Sequence, residues 1–253
     1  MYMVVDTHAH LNELKDVDKA LERAASAGVV AVVAMSMDRE SCLQTIQICR
    51  KFRGFAYPAV GVHPQTVVEK GNVEQDIRAV RRFVKKCVAV GEVGLDFWYR
   101  QARKDEKVRE RQMRVFKRML KIAARYDKPV SIHSRGAWNE CLETVKSFGL
   151  RKVVFHWFSG PRKVLDEILD LGYYVSATPA VEYSKAHREI IARTPIDNLL
   201  LETDTPVKYG SFTAEPADVV RALKAVAKLK GISEAEVADV TTENALKLFG
   251  ITV

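Results

Sequence analysis

Several things are scarce in this 253-residue chain. Cysteine occurs only at Cys42, Cys49, Cys87 and Cys141, and no two of these form a Cys-X-X-Cys pair. A disulfide framework or zinc ribbon is therefore not expected, and the thiols read as reduced residues of a cytoplasmic protein. Long apolar runs are missing too. A typical one, "GVVAVVAM" at 28–35, is short and β-like, far below the roughly 18–20 residues that span a bilayer. No membrane association is expected. The chain enters strand-like sequence almost at once, so no signal peptide is expected either. Linkers, low-complexity stretches and internal repeats are absent, which leaves 1–253 as one domain. Nothing points to an obligate protein partner.

Acidic charge is also in deficit: 32 Asp and Glu stand against 40 Lys and Arg. A basic excess favours polyanionic partners such as nucleic acid and says nothing about fold. The excess is local. Residues 100–128 hold 12 Lys and Arg against 4 Asp and Glu, a surplus equal to that of the whole chain. Within that stretch Val108, Val115, Met119, Ile122 and Tyr126 recur at helical spacing. The spacing predicts a long amphipathic helix with its charges on the opposite face.

What is plentiful is apolar sequence, 47% of the chain, cut into short pieces. Strands are predicted at 2–6, 29–35, 55–60, 88–91, 130–133, 152–156, 173–177 and 198–202. Helices are predicted after each, at 16–27, 39–51, 73–86, 105–126, 136–147, 161–170, 184–193 and 215–229. Two short helices, near 233–239 and 241–248, finish the chain; Ser233 and Glu236 form a capping box for the first. Buried parallel strands read as continuous Val/Ile/Leu runs. Eight strand–helix pairs therefore predict an α/β fold, a single-domain (β/α)8 TIM barrel with extra C-terminal helices. An open doubly wound sheet is the rival; the strand count and regular alternation favour the barrel.

A barrel carries its chemistry at the C-terminal ends of its strands. Those ends hold Asp6, His8 and His10; His63 in "GVHP"; Glu92 and Asp96 in "GEVGLD"; His133 and Arg135 in "SIHSR"; His156 in "VFHWFSG"; and Glu202 and Asp204 in "LLETDTP". Five of the six histidines sit there, and the sixth, His187, lies in a predicted helix. One histidine at a strand end is ordinary, but five around one rim predict a metal site. In a strand, residues two apart point the same way, so His8 and His10 aim together into the mouth. Glu92, His133, His156 and Asp204 converge on them. Nitrogen-rich donors suit zinc, and the carboxylates also admit manganese or magnesium. The expected arrangement is two divalent ions bridged by Glu92, with His8 and His10 on one and His133 and His156 on the other. Such a pair suits in-line displacement at phosphorus. Asp204 is expected to bind metal and to take a proton from the attacking water. Glu202 shares its parity and is expected behind it or as a partial ligand.

These elements, with the C-terminal "TTENALKLFGI", run in order across nearly the whole chain and together resemble the TatD family of metal-dependent deoxyribonucleases. The resemblance implies a TIM barrel with a binuclear metal site that hydrolyses DNA phosphodiesters by a metal-activated water. It assigns the ligand positions to His8, His10, Glu92, His133, His156 and Asp204, with Glu92 and Asp204 as catalytic groups. His63 and Arg135 match residues close to the site. His63 is expected to touch substrate or to donate from behind the ligands. Arg135 is expected to clamp a phosphate or to pair with a loop carboxylate.

Three features depart from the family pattern. Trp157 follows the strand-6 histidine where many members carry Cys, which is expected to change packing beside the metals. The stretch after "ETD" keeps Lys208, Glu215 and Pro216 but lacks the usual arginines. The segment "FWYRQARK" at 97–104 is aromatic and basic; Phe97, Trp98 and Tyr99 are candidates for stacking on splayed bases or for closing the mouth. The expected activity is 3′–5′ exonuclease-like; single-stranded DNA or ends are expected as substrate because the barrel mouth is narrow and a base-paired helix is about 20 Å wide. The missing arginines support an alternative, a small-molecule amidohydrolase or phosphoesterase with the same binuclear site. A non-catalytic binding protein is disfavoured: buried imidazoles and carboxylates are costly without a cation to pair with.

Overall fold

Valine-rich segments pair in parallel, as their unbroken apolar character requires. The computed structural model describes residues 2–253. Its strands are β1 Val4–Ala9, β2 Val29–Ala34, β3 Ala56–Val60, β4 Ala89–Gly94, β5 Val130–His133, β6 Val153–Phe155, β7 Tyr174–Ala177 and β8 Leu199–Leu201. They lie in sequence order, each parallel to the next. The seam between β8 and β1 is closed beyond the end of β8. There Asp204 N–H donates to the His8 carbonyl (2.9 Å) and His10 N–H donates to the Thr205 carbonyl (2.8 Å). Asp6 clips the same seam with its side chain, accepting from Thr203 N–H (2.9 Å) and Thr203 Oγ1 (2.6 Å). The fold is a (β/α)8 barrel.

The outer helices are α1 Val17–Ser26, α2 Arg39–Lys51, α3 Pro64–Lys70, α4 Glu74–Phe83, α5 Arg100–Lys104, α6 Glu106–Arg125, α7 Trp138–Ser147, α8 Arg162–Asp170, α9 Lys185–Arg193, α10 Val219–Lys230 and α11 Glu234–Phe249. The two short C-terminal helices predicted from sequence are one: no Gly or Pro interrupts 234–249, so α11 runs unbroken. The helix predicted from 215 starts at Val219, after a 3-10 turn at Pro216–Asp218. The predicted series did not include α3, α5 or the hairpin β9 Lys208–Tyr209 with β10 Phe212–Thr213. No helix among the described residues is long and apolar enough to cross a membrane.

Two apolar layers form the core. One lies between strands and helices and includes Val4, Ala9, Val90, Val93 and Ile132. The other fills the barrel with Val5, Val33, Ala59, Ala89, Val154 and Leu200, and Leu248, Phe249 and Ile251 at the end of α11 pack against it. This membership exposes a break in alternation. Val5 faces inward and Ala9 outward, although four residues apart, so facing must switch between them. The β1–β2 register shifts between Asp6 and Ala9. In β4, Ala89 faces in and Val93 out, and the β4–β5 register shifts between Val90 and Val93. Irregularities of this kind re-aim side chains beside active sites. Strict alternation from Val5 would turn His8 away from the axis, and from Ala89 it would do the same to Glu92.

Candidate metal centre

Glu92 is the hub. Its Oε2 lies 3.3 Å from His8 Nε2 and 3.2 Å from His10 Nε2. Its Oε1 lies 2.6 Å from His133 Nδ1, 2.8 Å from His156 Nε2 and 3.3 Å from His63 Nε2. One carboxylate oxygen thus faces the β1 histidines and the other faces those of β5 and β6. Asp204 closes the β1 side, with Oδ1 3.5 Å from His8 Nε2 and 3.6 Å from His10 Nε2. Its backbone takes a left-handed φ of 52°, which Asp tolerates better than most residues. Glu202 stands on the other side, its Oε1 3.4 Å from His156 Nδ1 and accepting the Trp157 N–H at 2.9 Å.

The site is buried except at His133, which is partly exposed: His8, Glu92 and Glu202 have at most 3% of their surface exposed. Burial and neighbouring His156 push His8 down to about 4. Burial alone would raise Glu92, yet the surrounding imidazoles, His63 foremost, hold it well below the ordinary carboxylate value. Burial likewise disfavours charge on His156, but Glu92 and Glu202 lift it well above the usual imidazole value. Burial pushes the Asp204 carboxyl up.

Among the described residues, three donor groups are close enough to hold an ion: His8, His10 and Glu92; His8, His156 and Glu202; and His63, Glu92 and His133. Buried His10 Nδ1, His156 Nδ1 and Glu202 Oε2 have no hydrogen-bond partner, which is costly in a closed site. Clustered imidazoles and carboxylates with orphaned donor atoms fit a divalent cation. His63 differs from its neighbours. It caps α3, its Nδ1 accepting the Gln65 N–H at 3.1 Å. That bond places the ring proton on Nε2, which faces Glu92 and so donates to it. In this tautomer Nε2 has no lone pair for a metal.

Behind the donors stands Asp96, fully buried. Its Oδ2 accepts from His133 Nε2 (2.9 Å) and Arg135 Nε (2.8 Å), and its Oδ1 accepts the Trp98 N–H (2.9 Å). A carboxylate on the far nitrogen of a ligating histidine fixes its tautomer and ring orientation. Arg135 therefore makes the ion pair with a loop carboxylate. Its side chain stays about half exposed, with the guanidinium 5.2 Å from the Tyr99 ring centre. His8 is held likewise, its Nδ1 3.2 Å from Ser131 Oγ.

Sequence reasoning noted Asp96 and gave it no role, and it missed Ser131 and Gln112. Gln112 offered a signal: it falls between Val108 and Val115 on the apolar stripe of α6 and is 1% exposed. His187 is structural, bonded to Thr178 N–H and the Phe158 carbonyl. The loop that lacks arginines folds as the β9–β10 hairpin, whose Tyr209 packs against Trp157 with ring centres 5.4 Å apart. Glu215 pairs with Arg23 through two 2.7 Å bonds.

A family model described as TatD related DNase matches residues 5–250. Human deoxyribonuclease TATDN3 is 33% identical over 259 residues, covering 97% of this chain and 94% of that protein. The metal-dependent hydrolase YabD of Bacillus subtilis is 31% identical over 262 residues, covering 98% and 100%. The crystal structure of the TatD homologue YJJV from Escherichia coli superposes with a TM-score of 0.89 at 27% identity, covering 98% of each chain.

Proposed function

This chain belongs to the TatD-related DNase family, a family of metal-dependent hydrolases acting on ester bonds, and from that premise we propose that it is a binuclear exonuclease of single-stranded DNA or DNA ends. The observation that carries the reading is the division of Glu92, with one oxygen toward His8 and His10 and the other toward His133 and His156. In this reading His8, His10, Glu92 and Asp204 hold one divalent ion, and Glu92, His133 and His156 the other. Bound there, zinc, manganese or magnesium would supply Lewis-acid polarisation of a phosphoryl oxygen and an acidified water.

The chain's own residues do the rest. Asp204, its carboxyl raised by burial, takes the proton of the attacking water at a carboxylate oxygen. His63 donates from Nε2 to Glu92 and holds the bridge in place. Arg135 is tied by Nε to Asp96 and directs its remaining N–H groups at a substrate phosphate. The buried cysteines suit a cytoplasmic setting.

The test is metal-stripped protein with end-labelled single-stranded DNA, given magnesium, manganese or zinc singly, beside Glu92→Ala. Metal-dependent stepwise shortening, lost in the variant and blocked by capping the 3′ end, is expected. Internal cleavage of capped DNA defeats the exonuclease assignment. No DNA cleavage, with salt-insensitive hydrolysis of small esters or amides instead, moves the protein to the small-molecule alternative.

A further inference from the structure

Four aromatic side chains, Trp98, Tyr99, Trp138 and Trp157, line the mouth around the donor cluster, in a cavity of about 860 Å³. That volume is within the roughly 300–1,000 Å³ of small-ligand sites. Phe97, weighed with Trp98 as a stacking residue, instead packs against the core under Arg109. Trp98 is 51% exposed. It thus offers part of its indole surface at the rim of the cavity that holds the donor cluster.

Trp98 is also firmly seated. It meets Trp138 edge to face, with ring centres 5.9 Å apart and planes at 85°. A Cβ at Gly136 would fall 2.3 Å from Trp98 Cδ1 and 2.5 Å from its Nε1, and one at Gly160 would fall 2.5 Å from Trp138 Cγ. Each ring therefore rests against a glycine where a Cβ would displace it. The backbone N–H of Trp98 is fixed by the same Asp96 carboxylate that holds His133 and Arg135. One buried group thus sets the spacing between an aromatic face, a cation and a metal-side imidazole.

We propose that Trp98, seated on Gly136 and braced by Trp138, is the platform on which an unpaired nucleobase beside the scissile phosphate stacks while Arg135 takes the phosphate. The proposal rests on the nuclease reading and deepens it. A base inside a duplex has both faces covered by its neighbours, so the platform accepts only frayed ends or single strands. Stacking tolerates any base, since each has a π-face. Cleavage is expected to be largely indifferent to base identity and sensitive to its presence.

The test is a two-by-two cycle. Wild type and Trp98→Ala are compared on oligo-dT and on the same strand with an abasic tetrahydrofuran residue at the terminal nucleotide. Removing either partner is expected to raise KM roughly tenfold, from a stacking contribution of about 1–3 kcal/mol. Removing both is expected to add nothing further, and Trp98→Phe to recover most of the loss. Independent effects in the cycle, or an unchanged KM in Trp98→Ala, overturn the platform and leave the nuclease reading standing. Indole fluorescence titrated with oligo-dT in EDTA separates the two ideas. Quenching that depends on Trp98, in a protein that cleaves no DNA, supports the platform and removes the nuclease reading. Absence of quenching overturns the platform.

Discussion

Gln112 brackets the backbone of Asp96 at both ends. Its Oε1 accepts the Asp96 N–H at 2.8 Å, and its Nε2 donates to the Asp96 carbonyl at 3.0 Å. The side chain of a surface helix thereby fixes the loop whose carboxylate orients His133 and Arg135. The basic helix α6 serves the site through its one buried amide, whatever its exposed charges do.

Replacing that amide leaves two backbone groups without partners. Gln112→Leu is expected to cost about 2–6 kcal/mol, since each unsatisfied buried group costs about 1–3 kcal/mol. It is also expected to lower metal affinity by roughly 10–100-fold, the range seen when the orienting partners of metal ligands are removed. Urea unfolding gives the first number and metal titration the second. Full metal affinity in a destabilised variant would show that Asp96 keeps its place without Gln112.

Metal is expected to stabilise the fold strongly, because the buried donors bind it only when assembled. At a free-ion concentration one hundred times Kd, the gain is about 2.7 kcal/mol. Stripping with a chelator should lower Tm, and zinc or manganese should restore it. Glu92→Gln keeps the shape of the bridge while removing its charge. It should retain the fold and show a much smaller metal-induced shift. Elemental analysis of both proteins counts the ions; an unchanged count in the variant would remove Glu92 from the bridging role.

Much of this centre was legible in the sequence, for reasons peculiar to particular strands. His133 and His156 follow plain alternation: Ser131 and Val154 face inward, and the histidines two residues on do the same. His8 and Glu92 do not. Their strands switch facing at register shifts, and nothing in "VVDTHAH" or "VGEVG" announces the switch. His8 lies within the irregular stretch between Asp6 and Ala9, yet its Nε2 and that of His10 still meet at Glu92 Oε2. Gln112 stayed hidden because a polar residue on a charged helix attracts no notice unless its place on the apolar stripe is counted. The β9–β10 hairpin was missed because strands of two residues carry no periodicity.

Asp6 makes a separate prediction about the seam of the barrel. Its carboxylate takes the Thr203 N–H and hydroxyl and lies 3.3 Å from the His8 N–H. Asp6→Ala strands these donors on two fully buried residues, Thr203 and His8, and unclips β8 from β1 next to two proposed ligands. A loss of about 3 kcal/mol or more is expected, with Asp6→Asn milder because its carbonyl oxygen can still accept. Hydrogen exchange locates the effect. Faster exchange of the Thr203 and His8 amides, ahead of global unfolding, is the expected pattern, and uniform acceleration would argue against a local clip.

His187 sets a pH dependence that is independent of metal. It is fully buried, accepting the Thr178 N–H at Nε2 and facing the Phe158 carbonyl from Nδ1. Burial lowers its pKa from 6.5 to about 4. Between those values the unfolded chain binds a proton that the folded chain does not, so stability rises with pH in that window. The contribution is whole above pH 6.5 and is lost as the pH falls through 4. A shift of that size corresponds to about 3 kcal/mol. His187→Gln can still accept from Thr178 but cannot titrate. Measured by urea unfolding with chelator present, the variant should be less stable than wild type at neutral pH, and its stability should fall less steeply between pH 6.5 and 4. Parallel profiles for the two proteins would mean that other groups carry the acid sensitivity.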